Sequence, residues 1–177
     1  MKLFGKHLLH GMLWLLASEI LCLILAVSLA ILRDHAIMRI IGLVFGITAH
    51  VLLIGSCAQK AAGDDAVIYR TEGKKSKALK PVLISVLLTV PAEITYFLLC
   101  LHPESILLLN LFPLLNAPFL QIHRFLIDGT EPFAAIAAVR RHLMAFPPVI
   151  TAVSYAAGYA MRYLPAAAGF DARSNRT

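Results

Sequence analysis

The sequence predicts an all-α membrane protein, a single integral membrane domain over residues 1–177 that folds as a polytopic bundle of four to five transmembrane helices. Apolar residues make up 59% of the chain and charged residues only 15%, whereas a soluble domain carries more charge on its surface. The apolar residues form long stretches, each near the roughly 20 residues that cross a bilayer as a helix. Basic residues lie between these stretches, as the positive-inside rule expects.

The first four stretches predict two antiparallel helical hairpins. The spans cover residues 8–32, 36–58, 81–101 and 105–122. Arg33-Asp34-His35 joins the first two spans, and His102-Pro103-Glu104 joins the next two. Helices joined by so short a turn pack as antiparallel neighbours.

A weaker fifth stretch, residues 143–164, is rich in alanine and contains two prolines and Arg162. If it crosses the bilayer, the C-terminus lies on the side opposite the N-terminus, and otherwise the two share a side. Before it, Gly129-Thr130-Glu131-Pro132 is a helix-start signal. The helix that follows, over about residues 131–144, lies on the cytoplasmic membrane surface or forms a solvated linker.

The polar connections 59–80 and 123–142 are predicted to lie in the cytoplasm. Together with Lys2 and Lys6 they hold eleven of the sixteen lysines and arginines. This bias places the protein in the cell membrane with a cytoplasmic N-terminus.

Small residues predict close packing within the first hairpin. Gly42 and Gly46 form a GxxxG pattern on the second span, and such a pattern lets two helix backbones approach closely. Ser18, Cys22 and Ala26 provide a matching ridge on the first span.

Five polar side chains inside the spans form a candidate intramembrane site: Glu19, His50, Glu93, Asn110 and Asn116. An ionisable group there costs about 2.5–3.5 kcal/mol on insertion scales, so it needs a reason. Glu19 and His50 fall at similar depth on either side of the first turn, which predicts that they contact each other. The pair either handles protons or fixes the hairpin through a buried hydrogen bond.

The second hairpin places Glu93 opposite Asn110 and Asn116, beside three prolines (Pro91, Pro113 and Pro118). A proline removes a backbone donor and frees a carbonyl one turn earlier. Broken helices beside a carboxylate are typical of transporter sites. The alternative is a kinked helix whose asparagines bond its own backbone.

Charged residues of the 59–80 connection have simpler explanations. Lys74, Lys75, Lys77 and Lys80 set the topology and contact anionic lipid headgroups. Asp64-Asp65 follows a glycine and is predicted to be a solvated, turn-forming pair rather than a metal site. Tyr155, Tyr159 and Tyr163, spaced i, i+4 and i+8, predict a packing stripe on the fifth stretch.

The sequence contains no HExxH, GxSxG, GxxxxGK[ST] or GxGxxG motif. Its three cysteines include no CxxC pair and predict neither a disulfide nor a metal framework. Nothing predicts a cofactor, and the basic residues lack the interleaved aromatics of a nucleic-acid surface.

These observations favour a non-enzymatic structural or accessory subunit of a membrane assembly, embedded in the bilayer against a membrane-protein partner or a second copy of the chain. The alternative is a small proton-coupled carrier built on the intramembrane site. An intramembrane enzyme comes third. A carrier requires a cavity that reaches Glu19 or Glu93, whereas an accessory subunit requires both carboxylates to be sealed.

Overall fold

The computed structural model describes residues 2–29, 36–114, 116–126 and 133–174, which are nearly all helical and contain no strand within these ranges. The α-helices are α1 (Lys2–Ser28), α2 (Ala36–Glu72), α3 (Leu79–Leu101), α4 (Ile106–Leu114), α5 (Leu120–Leu126), α6 (Ala138–Leu143) and α7 (Val149–Ser174). Two 3-10 helices, Ala117–Phe119 and Phe133–Ala135, connect them. The predicted turn at residues 33–35 and the helix-start signal at residues 129–132 lie outside the described residues.

The all-α class is confirmed, and several helices have the length and composition of membrane spans. Three helices, α1, α2 and α3, are long and apolar enough to cross a membrane. A fourth span exists if the chain from Ile106 to Arg124 is counted as one, but the two helices within it are bent by 93°. Large apolar side chains cover the outer face of α1, where Leu9, Leu13 and Leu16 are exposed.

Helix α2 is much longer than the predicted span 36–58, so the prediction of a loop over residues 59–80 is wrong for its first fourteen residues. The extension is rich in alanine, the strongest helix former, and Ala58, Ala62 and Ala66 are buried in the main core. The single positive-φ residue among the described residues, Gly73, follows the helix end with φ 68°. Tertiary packing thus carries the helix past the end of its apolar stretch.

Helix α7 packs along α2 and runs in the same direction. His50 contacts Thr151 near the start of α7, and Tyr69 contacts Asp171 near its end. Between these points the backbones touch, because a Cβ built on Gly158 would lie 2.6 Å from the Gly55 carbonyl oxygen. This is the closest approach that a glycine makes in the described chain.

One end of the bundle, which we call the basic end, carries Lys6, Lys74, Lys75, Lys77 and Lys80. Lys6 at the start of α1 contacts Asp64, near the end of α2. The end of α7 joins the same region, since Lys75 pairs with Asp171. The described ends of the chain therefore share one end of the bundle.

The chain between α3 and α7 enters the bundle and turns back. After α4, the carbonyl oxygen of Pro118 lies 3.3 Å from the Cβ position of Gly46, in the first third of α2. Gln121 then contacts Gly42, which is one turn farther from the basic end. The predicted span 105–122 is therefore a pair of helices bent by 93° at a break near its middle, and we call its described part, α4 to α5, the bent segment.

Residues 133–142, the second described part of the predicted connection 123–142, lie at the end opposite the basic end, so their predicted location beside residues 59–80 is wrong. The amide of Ala134 donates to the carbonyl oxygen of Pro103 at 3.2 Å, beside the turn that follows α3. Tyr96, in the last two turns of α3, donates to the carbonyl oxygen of Arg141 at 3.1 Å.

The helix predicted over about residues 131–144 is divided in its described part. Phe133–Ala135 forms one turn of 3-10 helix, and α6 begins only at Ala138. Phe133, Ile136 and Met144 are buried with the end of α3 in a second core cluster. The fifth predicted span, 143–164, also begins later, because α7 starts at Val149 after Pro147 and Pro148.

Candidate functional site

The break between α4 and the following 3-10 helix is closed by Asn116. The Asn116 side chain is buried, and its Nδ2 donates to the carbonyl oxygen of Phe112 at 2.8 Å. In a continuous helix that carbonyl would accept from the backbone amide of residue 116. Nδ2 also lies 3.4 Å from Oγ1 of Thr95 on α3. This is the predicted kinked helix in which an asparagine bonds its own backbone.

Glu19 binds the other side of the same break. Its Oε2 accepts a hydrogen bond of 2.7 Å from the backbone amide of Ala117, the first residue of the 3-10 helix. The first amides of a helix have no partner within it, so Glu19 satisfies a donor that would otherwise be unpaired. The two faces of the break are thus held by an amide and a carboxylate.

A cavity of about 360 Å³ lies at the basic end of the bundle. Another, of about 290 Å³, lies at a different level and adjoins the break, and we call it the Glu19 cavity. Its polar lining comprises Glu19, Thr89, Asn116 and Thr151, and apolar side chains of α1 and α3 form the rest. Glu19 is only partly buried. A carboxylate therefore faces a space that several waters or a small solute could fill.

His50 lies behind this cavity and is fully buried. Its Nδ1 lies 2.8 Å from Oγ of Ser18, and its Nε2 lies 2.8 Å from Oγ1 of Thr151. The predicted contact between Glu19 and His50 is wrong by one residue, because Ser18 and not Glu19 points at the imidazole. Two hydroxyls satisfy either tautomer of a neutral imidazole, since a hydroxyl both donates and accepts.

Glu93 and Asn110 are not bonded to Glu19, His50 or Asn116. Asn110 is exposed, and Glu93 is partly buried with no hydrogen bond to any described residue. The sequence places Glu93 opposite Asn110 and Asn116, but in the structure it bonds neither of them. Of the five predicted residues, Glu19 and Asn116 bond the helix break, and His50 lies beside it against the ring of Phe119.

The predicted ridge of Ser18, Cys22 and Ala26 lies beside these polar residues. Gly42 and Gly46, however, have neighbours that the sequence did not predict. Gly42 and Gly46 are both buried, and Cys22 Sγ lies 3.5 Å from the Gly46 carbonyl oxygen. Across the glycines lie Leu29, Gln121 and Pro118 rather than Ser18 or Ala26. Ala26 is only partly buried. Because Gly42 and Gly46 have no side chains, the 3-10 helix Ala117–Phe119 can lie close to α2.

A second polar group, the Asp65 cluster, lies at the basic end. Asp65 is 4% exposed and receives the Lys80 ammonium at 2.6 Å, the Tyr159 hydroxyl at 2.5 Å and the Ser76 hydroxyl at 3.1 Å. The Tyr163 hydroxyl accepts from the Ser76 amide at 2.7 Å. The cluster joins α2, the 73–78 loop, α3 and α7.

The prediction of a solvated, turn-forming Asp64-Asp65 pair is therefore wrong. Both residues lie within α2, and Asp64 pairs with Lys6 at 3.0 Å. The sequence did signal the partners of Asp65, since Tyr159 and Tyr163 share one face of a helix and Lys80 opens the next helix. Nothing in the sequence shows that this face meets Asp65.

The chemistry available to the Asp65 cluster is limited by its own bonds. The carboxylate has donors on both oxygens, and the Lys80 ammonium is bound to it. Among the described residues, no group of three or more histidine, cysteine, aspartate or glutamate side chains could hold a metal ion. The cluster therefore resembles a structural tie between helices.

The remaining lysines of the basic end differ in how they are paired. Lys74 bonds Glu72 at 2.8 Å, and Lys75 bonds Asp171 at 3.0 Å. The hydrogen bond to Asp171 raises the pKa of Lys75, and hydrogen bonds from Tyr69 and then Lys75 lower the pKa of Asp171. Lys77 has no carboxylate partner among the described residues.

Comparison of the chain with protein-family models, with curated proteins and with solved structures finds no match in any of the three. The structure thus defines a helical protein with several apolar, membrane-length helices, a polar cluster at a helix break and a basic end.

Proposed function

We propose that this protein is a small proton-coupled membrane carrier and that Glu19 is its proton-binding group. The observation that carries the proposal is the position of the Glu19 carboxylate, which bonds the Ala117 amide at a broken helix and lines a cavity. Irregular backbone within a bilayer is tolerated where it lines a cavity. Carriers use such breaks to present backbone groups to solutes and coupling ions.

The surrounding groups suit a carboxylate that changes its protonation state. When ionised, Glu19 accepts the Ala117 amide and is stabilised by it. When protonated, it is neutral and better suited to an apolar cavity. A proton that binds and leaves therefore alters the strength of the bond that holds the 3-10 helix against α1. In this proposal, the bent segment is the element that moves.

The bilayer placement belongs to the same proposal. α1, α2 and α3 cross the membrane, the basic end faces the cytoplasm, and the 102–104 turn faces outside. The accessory-subunit function required sealed carboxylates, and the cavity beside Glu19 supports the carrier over it.

Proton uptake into liposomes tests this proposal. The purified chain is reconstituted with a trapped pH-sensitive dye, and a potassium diffusion potential drives protons inward. We expect uptake above that of protein-free liposomes, and we expect Glu19→Gln to return it to the protein-free rate. Glutamine keeps an acceptor for the Ala117 amide but does not titrate.

Two matched variants complete the experiment. Glu93→Gln removes the other carboxylate from the middle of an apolar helix, and Glu104→Gln removes an exposed one at the turn after α3. Both should retain wild-type uptake. Equal uptake by Glu19→Gln and wild type would remove Glu19 from the mechanism, and loss in Glu93→Gln instead would assign the role to that residue.

A further inference from the structure

The basic end contains a pocket that the carrier proposal does not use. The pocket encloses about 360 Å³, a size typical of small-ligand sites. Four lysines line it, Lys74, Lys75, Lys77 and Lys80, together with a single acidic residue, Asp65. Its charged lining is cationic overall, which favours an anionic ligand.

Only one of the four lysines is without a carboxylate partner among the described residues. Lys80 is bound by Asp65, Lys75 by Asp171 and Lys74 by Glu72. Lys77 is exposed at the rim and has no such partner. Of the four lysines predicted to contact headgroups, Lys80 is the least available, because its ammonium points to the buried Asp65 rather than outward.

Apart from Ser76, the rest of the pocket is apolar and belongs to helices of membrane length. Leu3 and Phe4 come from the start of α1, and Leu79 and Leu83 from the start of α3. Leu79 is 62% exposed and Leu83 is 44% exposed, so this wall continues onto the outer surface of the bundle. A soluble anion makes no use of such a wall, whereas an acyl chain does.

We propose that this pocket binds an anionic phospholipid, with the phosphate at Lys77 and Lys75 and the acyl chains along Leu79 and Leu83. The lipid bridges α1, the 73–78 loop and α3. Basic residues immediately beside a span attract anionic headgroups at about 1 kcal/mol per residue. The inference is independent of proton carriage and requires only that α1 and α3 lie in the bilayer.

Native mass spectrometry of the full chain released from detergent tests the proposal. Phosphatidylglycerol is titrated, and phosphatidylcholine with the same acyl chains serves as the neutral comparison. We expect phosphatidylglycerol to form a discrete one-to-one complex at lower concentration. Lys77→Gln should weaken its apparent affinity about fivefold, the change that corresponds to about 1 kcal/mol for one lysine beside the bilayer.

Two further variants separate this pocket from general electrostatics and from misfolding. Arg70→Gln removes the same charge from an exposed position of α2 outside the pocket, and it should bind like wild type. Lys77→Arg keeps the charge and should also bind like wild type. Equal weakening by Arg70→Gln, or equal affinity for phosphatidylcholine, would overturn the proposal.

Glycerol 3-phosphate identifies the source of the anion. It carries the same phosphate chemistry without acyl chains, and it should not displace phosphatidylglycerol. Displacement at a comparable concentration would show that the pocket takes a soluble phosphate ester, and the lipid assignment would then be wrong.

Discussion

At the scale of single residues, the buried and the exposed ion pairs of this protein affect its stability differently. Asp65 and Lys80 are 4% and 16% exposed, whereas Lys6 is 67% exposed against Asp64. Exposed pairs contribute about 0–1 kcal/mol because water screens them and long side chains lose entropy. A buried pair contributes little net energy, but either charge left alone in the interior is strongly destabilising.

Asp65→Asn should therefore destabilise the fold by about 3–5 kcal/mol, since it leaves the Lys80 ammonium buried without its counter-charge. The double variant Asp65→Asn/Lys80→Met should recover a large part of the loss. Thermal unfolding in one detergent, followed by circular dichroism, measures both. Asp64→Asn is the matched control, and its transition should stay close to wild type. A single variant that melts like wild type would show that the Asp65 cluster does not hold the helices together.

At the scale of helices, the α2–α7 interface depends on two glycines facing each other. The Cβ of any residue at position 158 would meet the Gly55 backbone at 2.6–2.8 Å, closer than real Cβ atoms come. The obstacle is backbone and not a flexible side chain, so the helices must separate. Small residues at such crossings allow the close backbone contact by which helices associate in lipid.

Gly158→Ala should accordingly destabilise the bundle by about 1–3 kcal/mol, the usual cost of an overpacked interior. Gly169→Ala is the matched control, because it changes the same residue type in the same helix at a position with open space around it. That control should be neutral or slightly stabilising, since alanine is the better helix former. The two melting temperatures are compared in one detergent. If Gly158→Ala unfolds no earlier than Gly169→Ala, the close crossing does not exist.

What the sequence could predict at this scale follows from what is local. Apolar length identified α1 and α3 and the beginning of α2, and prolines with an asparagine identified the helix break at Asn116. The partner of Glu19 is a backbone amide, at Ala117, and a backbone donor has no signature in the sequence. The extension of α2 to Glu72 likewise depends on burial against α7 rather than on its own hydropathy.

At the scale of the whole molecule, the contacts of residues 133–142 show which parts of the chain share an end of the bundle. The basic-residue count assigned residues 123–142 to the side of residues 59–80, and the contact from Ala134 to Pro103 contradicts this. Basic residues nonetheless remain more numerous at the basic end. Arg140 and Arg141 lie with the end of α3, away from the five lysines of the basic end, Lys6, Lys74, Lys75, Lys77 and Lys80.

Accessibility of single cysteines tests this arrangement in intact cells. In a Cys100→Ser background, Cys22 and Cys57 stay buried, and one exposed cysteine is introduced at Lys77, Val139 or Ala172. We expect a membrane-impermeant maleimide to label position 139 from outside, because it lies beside the end of α3 opposite the basic end. Positions 77 and 172 should react only after permeabilisation, since the Lys75–Asp171 pair holds the 73–78 loop beside the end of α7. Labelling of 172 together with 139 would show that α7 ends on the outer side, and labelling of 77 from outside would reverse the orientation of the whole bundle.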